Sequence, residues 1–320
     1  MTYDVLIIGG GYAGLTAALY AARGMCLVAV VRDGPPRNAS GQGVHGLISR
    51  DGASSSSLLA EATDELCRYG VKFFEGQAET VWGKNGDFTV QLGSGEEVNA
   101  RKLILATGVQ DQLPERPEGL RELWGKRVHH CPHCYGYEVR GQVIAAYLPG
   151  AAFRPEVLSS WFYYRRYGEQ VLICSDGPVQ ATDAERARLE EHGITLCQSA
   201  LMRVEDTGER ARLHFADGSS ADVAALYTGS GRTPNTELAR QLGCDLDEQT
   251  GNIKVDPATN ATSVPGVYAA GDVTGGNQVA LALAGGARAG MFADFALHGE
   301  ELPDWVKKLE GRSTQTTQPT

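Results

Sequence analysis

A chain of 320 residues with 42% hydrophobic and 21% charged residues has room for two domains, each able to bury its own core. A mean hydropathy of -0.23 and no apolar run of about 18 residues argue against a membrane-spanning helix. The opening residues lack the basic start and small-residue cleavage site of a signal peptide, so the cytoplasm is the expected location. A net charge of -10, with no basic cluster longer than Arg165-Arg166 or Lys307-Lys308, argues against a nucleic-acid partner.

Asp4 to Ile8 form a short apolar run, followed by three glycines and an alanine-rich stretch from Ala13 to Ala22, which predicts strand, tight turn and helix. Leu27 to Val31 supplies a second buried strand. Gly41 to Ser57 reads as a Gly/Ser-rich loop, and Leu58 to Tyr69 as a helix. Val71–Gln77 and Phe88–Leu92 are expected to pair as an antiparallel hairpin through Asn85-Gly86. Lys102 to Ala106 returns as a buried strand that stops at Thr107-Gly108.

The plan then repeats. Strands are expected at Val143–Leu148, Gln170–Cys174, Thr195–Cys197 and Ala224–Thr228, with helices at Glu156–Tyr167 and Asp183–Glu191 and a hairpin over Leu201–Phe215. After Gly251 come a strand at Gly266–Ala270 and a long Ala/Gly-rich helix over Val279–Leu297, then a polar tail, Gly311 to Thr320, expected to be disordered. The fold class is α/β: two Rossmann-like three-layer domains, residues 118–244 inserted into a first domain of 1–113 and 249–320.

Gly9, Gly11 and Gly14 fit GxGxxG between a strand and a helix, a spacing that serves a tight turn, backbone approach to a pyrophosphate and close helix–strand packing. At the end of the second strand the sequence reads Arg32-Asp33. Either Asp33 reaches a ribose or Arg32 makes a different adenosine contact. Gly271-Asp272 places a carboxylate just past a late strand and ahead of the long helix, at the sheet edge where cofactors lie.

Of seven cysteines, Cys26, Cys67, Cys174, Cys197 and Cys244 are scattered singly, mostly beside apolar residues, and read as small core side chains. Cys131 and Cys134 form a CxxC pair, able to close a small-loop disulfide, with a helix start and His129, His130 or His133 to stabilise a thiolate. Half a zinc site is the competing reading, but it needs two further ligands and no second CxxC exists, so no metal is expected.

The N-terminal glycines, Ala106-Thr107-Gly108 and Gly271-Asp272, together with Cys-Pro-x-Cys, resemble the low-molecular-weight thioredoxin reductase family over Met1 to about Leu297. The resemblance implies bound FAD, held by Gly9, Gly11, Gly14, Asp33, Thr107, Gly108, Gly271, Asp272, Gln278 and Val279, and a homodimer. It implies that Cys134 lies nearest the flavin while Cys131 exchanges with an external thiol, from a small-molecule dithiol or a thioredoxin-like protein. Cys-Pro-x-Cys with Gly136-Tyr137-Glu138 is nearer to the family's NADPH-independent members, its dithiol oxidases and diflavin-linked disulfide oxidoreductases. Tyr135 stands where thioredoxin reductases proper have an aspartate and the dithiol oxidases a histidine, leaving His129, His130 and His133 as stand-in proton relays.

The second domain departs from an NADPH site. After Val143–Leu148 the chain reads Pro149 to Pro155 with Gly150 as its one glycine, and Cys174-Ser175-Asp176 offers a carboxylate where a 2′-phosphate wants cations. The aromatic run Trp161, Phe162, Tyr163, Tyr164 and Tyr167 reads as core packing before it reads as a stacking platform. The expected activity is FAD-dependent oxidation of dithiols through a Cys131–Cys134 disulfide, with electrons passed to oxygen or a second flavin. The alternatives are a thioredoxin reductase fed by ferredoxin or NADPH, and a non-catalytic flavin-binding protein.

Overall fold

A computed structural model describes residues 1–307 and divides them between two compact units; the expected disordered tail from Gly311 lies outside the described residues. Unit 1 begins with β1 (Thr2–Ile8), α1 (Tyr12–Arg23), β2 (Val28–Arg32), α2 (Ser55–Arg68), β3 (Lys72–Glu75), β4 (Ala78–Lys84), β5 (Asp87–Leu92), β6 (Glu97–Leu105) and β7 (Val109–Gln112). Unit 2 follows with β8 (Val128–His129), α3 (Pro132–Tyr135), β9 (Val143–Tyr147), α4 (Pro155–Arg165), β10 (Gln170–Cys174), α5 (Asp183–Glu191), β11 (Ile194–Cys197), β12 (Leu201–Asp206), β13 (Ala211–Phe215), β14 (Ser220–Val223), β15 (Leu226–Thr228) and β16 (Gly231–Pro234). The chain then returns to unit 1 through α6 (Glu237–Leu242), β17 (Val267–Ala269) and α7 (Val279–Glu301).

In unit 1 the strands run β3-β2-β1-β6, all parallel, with β17 parallel to the C-terminal half of β6 and β5-β4 antiparallel beyond its N-terminal half. Alternate residues of β1 enter different cores. Val5 and Ile7 pack with α1, α2 and α7, whereas Leu6 and Ile8 pack with β4, β5 and α6. A strand buried on both faces is why this segment reads as a continuous apolar run. The helix α7 crosses α1 at close range, because a Cβ on Gly286 would lie 2.1 Å from the Ala13 carbonyl oxygen and one on Gly290 2.4 Å from that of Ala17.

Two expectations need correction. The hairpin through Asn85-Gly86 exists, but its first strand is β4; Lys72–Glu75 instead extends the parallel sheet beside β2. In β4 only Val81 is buried, so the alternation that marks a half-buried strand is missing from its sequence. The argument against a membrane-spanning helix also does not hold for α7: Arg288 and Asp294 interrupt its apolar run, yet its 23 residues are long and apolar enough, by length and composition, to cross a membrane. Gly286, Ala289, Gly290, Ala293 and Leu297 are buried, the glycines against α1, while Leu281 and Phe295 stay exposed, so one face of the helix is seated within the chain.

Unit 2 has a parallel sheet in the order β11-β10-β9-β15-β8 and a separate antiparallel sheet, β12-β13-β14. Ala145 and Tyr147 of β9 face the antiparallel sheet; Ile144 and Ala146 face Trp161 of α4 and Leu189 of α5. The units change at Gln110–Asp111 and Thr233–Pro234, inside β7 and β16, which pair with each other. Residues 234–244 therefore pack with unit 1, and residues 37–55 with unit 2, in both cases away from the boundaries expected from the sequence. The loop 37–55 moves because its side chains bond within unit 2: Arg37 to Asp111 and Gln42 to the Lys126 carbonyl and Tyr135.

Candidate active site

The glycine turn of unit 1 is defined by backbone crowding at two positions and by open space at a third. Gly9 has φ 124°, and a Cβ there would meet the Ala106 carbonyl oxygen at 2.2 Å; one on Gly14 would lie 1.9 Å from the Gly9 carbonyl oxygen. A Cβ on Gly11 meets nothing within 4 Å. Gly11 caps α1 with no side-chain hydrogen bond, and the first turn has no acidic residue. The amino end of α1 thus presents backbone N–H groups and positive helix-dipole charge to an accessible space, the arrangement that holds a phosphate.

The other predicted residues of unit 1 converge on this turn. Gly271, at φ 83°, approaches Ala13 so closely that a Cβ would lie 2.8 Å from the Ala13 methyl, which brings half-buried Asp272 to the first turn of α1. Asp272 opens a short 3-10 turn, Asp272–Thr274, rather than α7 itself; Gln278 caps α7 and Val279 begins it. Thr107 donates to the Asn235 carbonyl at 2.6 Å, Asn235 Nδ2 donates back to Thr107 at 2.8 Å, and the Asn235 N–H bonds Gly108. Asn235 was not legible because it follows an insertion of more than a hundred residues. Arg32 is committed to Glu75 at 2.7 Å and to Thr63 at 3.2 Å and lies over the Phe73 ring, while Asp33 is exposed and has no partner among the described residues.

In unit 2, Cys131 and Cys134 are joined in a disulfide with Cα atoms 5.3 Å apart. Cys131 caps α3, Pro132 occupies its first turn, and the Cys134 N–H donates to Cys131 Sγ at 3.2 Å. The expected helix-dipole contribution is small, because α3 is a single turn of four residues. The Cys134 N–H is the local group that can stabilise negative charge on Cys131 sulfur after reduction.

The histidines separate into different environments. His129 is buried in β8, its ring stacked on Tyr135 at 4.1 Å, and its Nε2 has no hydrogen-bond partner. Burial, reinforced by nearby His130, lowers its pKa to about 4, so the ring is neutral at pH 7. His130 stacks on Trp124 at 5.8 Å; burial and Arg37 lower its pKa too. His133 is exposed and makes no hydrogen bond, ion pair or ring contact among the described residues, which removes it from the expected cluster. Tyr135 donates to Gln42 Oε1 at 2.7 Å, and burial raises its pKa, so it is a protonated hydroxyl.

The loop 37–55 adds groups that its Gly/Ser-rich sequence did not announce. His45 Nδ1 lies 3.3 Å from Glu138 and 3.5 Å from Asp51. Arg37 forms a two-point pair with Asp111 at 2.7 Å, and Ser230 adds a hydrogen bond at 3.0 Å. Burial opposes ionisation of Asp111, but the Arg37 pairing prevails and lowers its pKa.

A cavity of about 740 Å³ opens in unit 2, lined by Tyr147, Pro149, Gly150, Arg154, Glu156 and Thr228 among others. It sits where a nucleotide would meet a βα turn, but the turn differs from that of unit 1. Pro155 and the acidic Glu156 begin α4, and Asp176 is already occupied, accepting from the Tyr147 hydroxyl at 2.6 Å and from the Leu201 N–H at 2.7 Å. The aromatic run divides: Trp161 is fully buried and Tyr164 packs against the core, whereas Phe162 and Tyr163 are exposed. Among the described residues no group of three or more His, Cys, Asp or Glu side chains is placed to hold a metal ion.

A dinucleotide turn, a second Rossmann-like unit and a CxxC disulfide together define a flavin-dependent disulfide oxidoreductase. The pyridine nucleotide-disulphide oxidoreductase family profile matches residues 3–289, and the chain belongs to that family. It is 30% identical to thioredoxin reductase sirT of Leptosphaeria maculans, over 94% of this chain and 96% of that one. It is 31% identical to thioredoxin reductase tcpT of Claviceps purpurea, over 84% and 86%. The crystal structure of an oxidoreductase from Agrobacterium tumefaciens superposes with a TM-score of 0.82 at 33% identity, covering 94% of this chain and 100% of that one. The enzyme is FAD-dependent, and FAD fits the open, uncapped amino end of α1 in unit 1.

Proposed function

We propose that the chain oxidises dithiols through Cys131–Cys134 without using NAD(P)H. The observation that carries this reading is the βα turn of unit 2: Pro155 and Glu156 stand where N–H groups would face a pyrophosphate, and Asp176 is held by Tyr147 and Leu201. The contrast with the open turn at Gly11 supports unit 1 as the FAD-binding domain and unit 2 as a nucleotide-binding-like domain that carries the disulfide.

In the proposed reaction a substrate thiolate attacks Cys131 Sγ, the Cys131–Cys134 bond breaks, and Cys134 leaves as a thiolate. The second substrate thiol attacks the mixed disulfide, releasing the oxidised substrate and leaving Cys131 reduced, its charge stabilised by the Cys134 N–H. The substrate proton goes to solvent in this reading: burial holds His129 neutral, with a pKa of about 4, and makes it too weak a base to keep that proton; His130, its pKa lowered too, and the protonated Tyr135 hydroxyl adjoin it, and His133 stays outside the relay. Bound FAD supplies the acceptor for the electron pair from the dithiol, and Gly9, Gly11, Gly14, Thr107, Gly108, Gly271, Asp272, Gln278 and Val279 would hold it, with Asp33 rather than committed Arg32 facing the ribose. Oxygen, or a second flavin in the unit 2 cavity, is the terminal acceptor in this reading; flavin quantified per chain separates the two.

The names of the relatives support a second reading, in which a thioredoxin-like protein is the partner and the electrons run toward it from ferredoxin or NADPH. A cytoplasmic homodimer accompanies either reading. Two variants test the roles. Cys134→Ser should abolish flavin bleaching by dithiothreitol, and Cys131→Ser should lower it at least 100-fold while the flavin stays bound. Wild-type bleaching by the Cys131→Ser enzyme would refute the assignment.

A further inference from the structure

Cys174 and Cys197, which the sequence presents as unrelated core thiols, are brought side by side by the register of unit 2. Adjacent parallel strands β10 and β11 pair Cys174 directly with Cys197, and β9 pairs Tyr147 with Cys174 on the other side. Directly opposed residues of parallel strands point to the same face and have Cα atoms about 4.8 Å apart, within the roughly 4.4–6.8 Å span of disulfides. Both cysteines pack on the same core, that of Leu172, Leu201 and Val223. The ladder is closed at this level, since the Ser175 N–H bonds the Cys197 carbonyl and the Leu148 N–H bonds that of Cys174.

We propose that Cys174 and Cys197 form a second redox site, a thiol pair that a hydroperoxide converts to a disulfide independently of Cys131 and Cys134. Cys174 is fully buried and Cys197 partly exposed, so Cys197 is the thiol that meets the oxidant. The two are electrostatically unequal in the same sense. Contact with the Cys197 sulfur, then burial, raises the Cys174 pKa, whereas contact with Cys174 lowers that of Cys197.

The chemistry balances without another reductant. Cys197 thiolate attacks one peroxide oxygen, the O–O bond breaks, the other oxygen leaves as water or alcohol with a proton, and Cys197 becomes a sulfenic acid. The Cys174 thiol attacks that sulfur, the S–O bond breaks, and water leaves with the Cys174 proton. Two thiols are oxidised by two electrons and one hydroperoxide is reduced. The new bond would lie in a row running Thr228, Tyr147, Cys174, Cys197, of which the first two line the unit 2 cavity. Oxidation would therefore fix the strand ends beside the cavity wall.

The test uses the full FAD-loaded chain with its Cys131–Cys134 bond oxidised, treated with a few equivalents of hydrogen peroxide, alkylated in denaturant and mapped by peptide mass. The expected result is loss of two alkylatable thiols and a Cys174–Cys197 linked peptide that dithiothreitol reverses. The Cys197→Ser chain should give no linked peptide, and the Cys174→Ser chain should carry overoxidised Cys197. The wild-type map decides even if a variant misfolds: both thiols still alkylatable, Cys197 overoxidised with Cys174 free, or either cysteine linked elsewhere would overturn the proposal.

Discussion

The two βα turns of this chain start from the same plan and diverge at the residues that would touch a phosphate. After β1 come Gly9, Gly11 and Gly14, with no acid in the first turn of α1; after β9 come Pro149 to Pro155 and, in the first turn of α4, Glu156, and neither helix has a side-chain cap. Both parallel sheets are intact, so the second sheet persists beside a turn of quite different sequence. A Rossmann-like fold is thus a statement about strands and helices, whereas nucleotide binding depends on a few N–H groups and the space in front of them.

The largest effect should come from filling that space in unit 1. Gly11→Val should lower FAD affinity at least 100-fold with little change in the apoprotein's far-UV circular dichroism, because the fold leaves room for the added side chain. Gly14→Val should instead damage the fold, since its Cβ would lie 1.9 Å from the Gly9 carbonyl oxygen. Asp272→Ala should weaken FAD retention by about tenfold or more, as loss of a charge-assisted contact costs about 1.5–3 kcal/mol. Equilibrium flavin binding by fluorescence measures all three; full FAD affinity in the Gly11→Val chain would reduce this turn to a packing device.

The same contrast explains what the sequence disclosed. Gly9 and Gly14 were legible because backbone crowding tolerates no other residue there, and the motif falls between a buried strand and a helix. The half-exposed strand β4 was not, since one buried valine makes no period. Gly41 to Ser57 reads only as a Gly/Ser-rich loop because its contacts, His45 with Glu138 and Gln42 with Tyr135, are tertiary and leave no local pattern. The Cys174–Cys197 pairing was invisible for the same reason: α5 separates the two strands, and register alone aligns them.

Asp176 sharpens the comparison from unit 2. If it serves structure, Asp176→Ala should cost about 2–4 kcal/mol of stability by leaving the Tyr147 hydroxyl and Leu201 N–H without their acceptor, and should give no gain in NADPH binding. Chemical denaturation and nucleotide titration check the two halves. A stable variant that binds NADPH at micromolar concentration would mean that Asp176 acts by repulsion alone.

A further effect of at most about 3 kcal/mol concerns His129. Its folded-state pKa of about 4 lies below the unfolded 6.5, so the fold favours the neutral ring. Its contribution is complete above pH 6.5, falls as the unfolded chain takes up a proton on acidification, and is lost by about pH 4. His129→Phe should flatten that part of the stability profile measured by denaturation; an unchanged slope would mean that the ring is solvated.

The most direct measurement is an anaerobic titration of the FAD-loaded enzyme, first with NADPH or NADH and then with dithiothreitol, following flavin absorbance. The altered unit 2 turn predicts an oxidised flavin at millimolar pyridine nucleotide and complete bleaching by the dithiol. Rapid bleaching by micromolar NADPH would contradict this account and restore a pyridine nucleotide as the electron donor.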